Sequence, residues 1–78
     1  MARASNKTAA HRALGEAIRA TRVDRGFTQE SFAAHAGIDR SYQGVVERGE
    51  CNFTIATLFK IAAALGVPAS KLLRRANL

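Results

Sequence analysis

From residue 9 onward the apolar positions fall into five blocks with helical spacing, separated by capping residues and glycines. Leu14, Ala17, Ile18 and Thr21 recur at i, i+3, i+4 and i+7, which places one inward stripe on a first helix. Arg12, Arg19, Arg22 and Arg25 share the rest of its surface with Glu16 and Asp24. Thr8 is suited to cap its start and Gly26 to stop it. Thr28 opens a second, short helix with Gln29 and Glu30 in its first turn, Phe32, Ala33 and Ala36 inward, and Gly37 at its end. Ile38 then reads as a buried plug, and Asp39 as the cap of a third helix running from Arg40 to about Arg48. Gly49 closes that helix. Thr54 caps a fourth, whose apolar set (Ile55, Leu58, Phe59, Ile61, Ala62, Leu65) is broader than one stripe. Gly66 ends it, and Pro68 introduces a fifth carrying Leu72 and Leu73. No segment alternates as a strand does and no repeat is present, so the pattern predicts an all-α bundle of five helices.

Composition sharpens this picture. Seventy-eight residues make one domain, expected over residues 9–78 behind a flexible basic arm over residues 1–8. A chain this short buries only about 60% of its unfolded surface, so a partner copy would add to a modest core. Twelve Lys/Arg against six Asp/Glu give a net charge of +6, which favours a polyanion, either nucleic acid or an acidic membrane face. The N-terminal residues lack the apolar run of a signal peptide or a membrane span. With a single cysteine, Cys51, no intrachain disulfide forms, and a cytoplasmic protein with no membrane association is expected.

The chemistry of catalysis is missing. His11, His35 and Cys51 lack zinc-ligand spacing, and no Ser/His/Asp set, paired carboxylates or phosphate-cradling glycine loop occurs. The expectation is a protein that is not an enzyme, with no metal, cofactor or small-molecule ligand. Cys51 reads as a loop filler or, alternatively, an oxidant sensor.

The informative stretch is QESFAAHAGIDRSYQGVVERG, Gln29 to Gly49. Two short helices flank a three-residue turn, Gly37-Ile38-Asp39, a connection that sets helices at roughly 90–120°. Ala33 is small where the two would cross, Gly37 opens the turn without steric cost, and Phe32, Ala36, Ile38 and Val46 close a small core beneath.

Through GFTQESFAAHAGI, DRSY, VERGE and LFKIAAALGV followed by LL, the chain from about Leu14 to Leu73 resembles the lambda-repressor-like, Xre-type helix-turn-helix family. The helix-turn-helix itself spans about residues 28–48. The run RSYxGxxERGExN is similar to that of restriction–modification controller proteins. The resemblance implies a transcriptional regulator of the nucleoid, bound as a homodimer to double-stranded DNA at a palindromic or direct-repeat operator. An antitoxin-type protein that binds a toxin and represses its own promoter is the alternative, and non-specific nucleic-acid packaging is a third reading.

Recognition helices read bases near their N-terminal end, which puts Arg40, Ser41 and Tyr42 nearest the groove floor; Ser41 is suited to a base edge or a phosphate, and Tyr42 equally to packing on the turn while its hydroxyl meets the DNA backbone. Arg40 either donates in bidentate fashion to a guanine or clamps a phosphate. Val45 extends the face toward a thymine methyl, and Gly44 permits close approach of the DNA backbone. Gln29, at the positive end of the second helix, is suited to a phosphate; Thr28 either adds to that contact or only caps. By resemblance, Arg48, Asn52 and Thr54 contact the sugar-phosphate chain, Arg48 being equally suited to the helix dipole. Gln43 departs from the family, where its position is usually apolar: either it is buried with its amide satisfied, or it turns toward DNA as a base contact. Arg22 and Glu47 match an ion pair joining helices one and three in similar proteins. The apolar excess of the last two helices points to a dimer surface at Phe59, Leu65, Val67 and Leu72.

Overall fold

The computed structural model describes residues 8–52 and 54–78. The arm expected over residues 1–8 therefore lies outside the described residues, except for Thr8, as does Phe53. Among the described residues there are five helices: α1 (Ala9–Asp24), α2 (Gln29–Ala36), α3 (Arg40–Glu47), α4 (Ile55–Leu65) and α5 (Ala69–Arg75).

Side-chain caps explain three of the starts. Thr8, Thr28 and Thr54 each accept a hydrogen bond from the backbone N–H three residues on, satisfying a donor that the first turn would leave orphaned. At α2 the cap is reciprocal, because the Ser31 hydroxyl receives the Thr28 N–H at 2.9 Å. Asp39 departs from expectation: it has the extended backbone of a cap, but its side chain accepts no capping bond. The turn after α2 is as the sequence indicates. Gly37 sits at φ +73°, a left-handed conformation that costs glycine nothing, and the Ile38 N–H returns to Ala33 O at 2.9 Å. Ile38 is half-buried rather than the sealed plug its sequence suggested.

The core takes Ile18 from α1, Phe32 from α2, Val46 from α3, Ile61 and Leu65 from α4, and Leu72 from α5, all at most 2% exposed. Burying each such side chain contributes about 1.5–3 kcal/mol. Phe27 meets Phe32 edge-on at 5.4 Å and stacks with His35 at 5.1 Å. The His35 Nε2 lies 3.1 Å from Ala64 O, so this outer histidine links α2 to α4 although it remains exposed. Leu65, Val67 and Leu72, read from the sequence as dimer-surface candidates, are instead core residues. The reason is that α5 turns back on α1 as well as on α4, covering them from within the same chain.

Helix α1 carries the contacts that hold α3 in place. A Cβ added at Gly15 would lie 2.6 Å from Val46 O and 2.7 Å from Glu47 O, so backbone meets backbone where α3 ends against α1. Gly49, at φ +71°, brings the chain equally close to Arg12. No single helix among the described residues is long and apolar enough to cross a membrane.

Candidate nucleic-acid interface

The spacing along α3 sorts its side chains into two sets. Gln43, Val46 and Glu47, at i, i+3 and i+4, face the body of the protein and are buried. Arg40 and Ser41, at the leading end, are exposed, and Val45, one turn beyond Ser41, is half-exposed. Arg40 makes no hydrogen bond or ion pair among the described residues. Gly44 shares the outward line with Arg40 and Arg48 but is itself covered: a Cβ there would be 3.1 Å from Arg48 Nη1 and 3.9 Å from Gln29 Oε1. The outer face of α3 is thus a short projecting ridge with one unpaired guanidinium at its tip.

Behind that ridge lies a buried polar hub. The Glu47 carboxylate accepts four hydrogen bonds: Arg22 Nε (2.6 Å) and Gln43 Nε2 (2.7 Å) donate to Oε2, Arg22 Nη2 (3.1 Å) and Gln29 Nε2 (3.0 Å) to Oε1. Arg22 also donates from Nη1 to Phe27 O at 2.7 Å. The ion pair implied by resemblance is present, with side-chain exposures of 9% and 2%, and it ties α1, α2 and α3 together. Burial acts to raise the carboxyl pKa; the hydrogen bonds from Arg22, Gln29 and Gln43, with the charge of Arg22, outweigh it and hold the group below its usual value.

Two residues of α3 sit off the exposed ridge. Gln43 is fully buried, so it is not available to a base edge; it belongs to the hub, and its Oε1 finds no partner. An unmet buried acceptor costs about 1–3 kcal/mol, offset in part by the charged bond that the same amide donates. Tyr42 is half-buried. Burial raises the Cys51 pKa and the nearby Tyr42 hydroxyl only partly opposes this, which makes the thiol a poor nucleophile and favours the loop-filler reading.

Of the remaining candidates, Gln29 and Arg48 border the ridge at Gly44. Thr28, Arg48, Asn52 and Thr54 are exposed, and Gln29 is half-buried with one amide hydrogen committed to Glu47. Arg48 Nε pairs with Glu50 Oε1 at 3.0 Å in an exposed ion pair, a contact the sequence reading did not include. Such a pair is worth roughly 0–1 kcal/mol, so a stronger anion displaces it readily.

This architecture has close counterparts. The family profile HTH_3, described as helix-turn-helix, matches residues 18–72. The control protein C.SmaI of Serratia marcescens is 42% identical over 65 residues, covering 83% of this chain and 77% of that protein. A hypothetical transcription factor of Neisseria meningitidis serogroup B is 45% identical over 56 residues, 72% of this chain but only 53% of the relative, so the chain spans about half its length. The crystal structure of the restriction–modification controller protein C.AhdI from Aeromonas hydrophila superposes with a TM-score of 0.79 at 37% identity, covering 83% of this chain and 98% of that one. The chain belongs to the HTH_3 helix-turn-helix family of DNA-binding transcription regulators, which are not enzymes.

Proposed function

We propose that this chain is a sequence-specific regulator of the controller type, acting in the cytoplasm as a homodimer on a palindromic or repeated operator. The observation that carries the reading is the unpaired, exposed Arg40 at the leading end of α3, with Ser41 beside it and Val45 one turn on. In the major groove these three reach base edges, Arg40 toward guanine O6 and N7. Tyr42, half-buried, supports them from the turn. Thr28, Gln29, Arg48, Asn52 and Thr54 border the ridge and hold the sugar-phosphate chains, while Gly44 keeps the surface low enough for the duplex to approach. One amide hydrogen of Gln29 holds Glu47, which leaves the second for a phosphate oxygen and aims it.

Support for a dimer comes from α4. Ile55 and Phe59, one turn apart, are 70% and 59% exposed, an apolar pair that a second copy would cover.

Selection of bound sites from random duplex DNA tests the reading directly. It should return a repeated or symmetric site bound about 10³–10⁷ times more tightly than bulk DNA. Arg40→Ala should then relax discrimination at one position per half-site, by about 1–3 kcal/mol, and Gln29→Ala should weaken all sequences alike. Equal affinity for every sequence at fixed salt would overturn the proposal.

A further inference from the structure

The charges of this chain are segregated. Of the six acidic residues, Glu30, Asp39, Glu47 and Glu50 lie on α2, in the turn before α3, on α3 and in the loop after it, and only Glu16 and Asp24 belong to α1. After Glu50 the sequence contains no acidic residue, but it carries Lys60, Lys71, Arg74 and Arg75. Three of these four are on α5. Arg75 is committed to Asp24 at 2.8 Å and to the Thr21 hydroxyl at 3.3 Å. Lys71 and Arg74 are exposed and make no ion pair among the described residues. Arg25 adds a further cation at the α4–α5 corner, its Nη2 3.5 Å from Gly66 O.

Lys71, Arg74 and Arg75 line an open groove of about 610 Å³ together with Pro68 and Ser70. Pro68 and the aliphatic stems of Lys71, Arg74 and Arg75 give this lining apolar surface beside its charges.

The groove faces away from the recognition ridge. On α1, Gly15 and Arg22 lie against α3, and Arg12 against Gly49 just beyond it. Those toward α5 include Ala13, Ala17, Ala20 and Asp24. At about 100° per residue the two sets are centred roughly 150° apart around the helix. A duplex seated on α3 is therefore out of reach of the outer face of α5 in the same subunit.

We propose that this groove on α5 docks an acidic protein segment that carries apolar anchor residues. Carboxylates of the segment meet Lys71 and Arg74, and its apolar side chains fill the groove between them. A second DNA segment fits less well, because a phosphate backbone offers no apolar group to the groove walls. The surface leaves operator contacts untouched, so a regulator bound through α3 can hold such a partner at the same time.

The test is fluorescence anisotropy with two labelled probes, a short peptide of glutamates interrupted by leucines and an all-glutamate peptide of the same length. The leucine-containing peptide should bind the full chain, and Lys71→Glu with Arg74→Glu should weaken it by about tenfold or more. Lys60→Glu should leave it unchanged, and the double variant should keep the circular dichroism and duplex affinity of the parent. Equal binding of the all-glutamate peptide, equal loss with Lys60→Glu, or no binding of either peptide would overturn the proposal. A double variant that loses duplex binding would instead assign the groove to nucleic acid.

Discussion

Gln29 Nε2 donates to Glu47 Oε1 at 3.0 Å, tying the first turn of α2 to the last turn of α3. A residue proposed to hold a phosphate is thereby aimed by the carboxylate that also pairs with Arg22. Fold and proposed DNA contact therefore share one buried group, and a substitution at Glu47 should act on both.

Glu47→Ala should cost about 3–5 kcal/mol, because it strands the Arg22 guanidinium in a buried position. At about 4–8 °C per kcal/mol for a domain of this size, the melting temperature should fall by at least ~12 °C. Measured where the variant is still folded, affinity for duplex DNA should fall alike for all sequences, since Gln29 loses its aim. An unchanged melting temperature would contradict the hub; unchanged affinity would separate Gln29 from it.

Acid should act through the same group. The Glu47 carboxyl titrates below its ordinary value of 4.5 in the folded chain. A lowered folded-state pKa means that its contribution is fully present above the unfolded value and is lost as pH falls through the folded one. Denaturation midpoints measured from pH 7 down to pH 3 should decline over the lower part of that range. In Glu47→Gln the starting stability is lower and this part of the decline disappears. Parallel pH profiles for parent and variant would rule the account out.

Two glycines in helices should respond oppositely to alanine. Helix propensity alone favours alanine by about 1 kcal/mol at either position. At Gly15 the new Cβ meets backbone carbonyls at 2.6 and 2.7 Å, which cannot yield without moving α3. Gly15→Ala should therefore destabilise by about 1–3 kcal/mol. At Gly44 the nearest atom is Arg48 Nη1 at 3.1 Å, the end of a flexible side chain. Gly44→Ala should leave urea stability equal or higher, and should weaken DNA binding by raising the floor of the ridge. Equal urea midpoints for the two variants would refute this assignment of the α1–α3 crossing.

The elements that sequence could reveal are those written in local signals. Thr8, Thr28 and Thr54 announce helix starts through their own side chains, and Gly37 and Gly66 announce ends through the backbone conformation they permit. Arg40 and Ser41 were legible as an exposed leading edge for the same reason. Long-range packing has no such signature. Leu65, Val67 and Leu72 look like surplus apolar residues until α5 is seen to fold back over them, and Gly15 looks like an ordinary helix residue until α3 arrives. Gln43 is intermediate: its i, i+4 relation to Glu47 was present in the sequence, but only the buried guanidinium of Arg22 makes that spacing a hub.

The proposed dimer surface gives the last prediction. Ile55 and Phe59 are one turn apart on α4, so their side chains form one apolar patch. Neither contributes to the core of its own chain. Replacing both with charged residues, Ile55→Lys and Phe59→Glu, should thus leave monomer stability within about 0.5 kcal/mol of the parent. The same variant should sediment as a monomer at concentrations where the parent is a dimer, and should lose most of its operator affinity, because each half-site is then held alone. Leu72→Glu is the contrasting case: it buries a charge at a position with no exposure, and should unfold the chain rather than dissociate it. A parent that sediments as a monomer at tens of micromolar, or a Phe59→Glu variant that remains dimeric, would remove α4 from the interface.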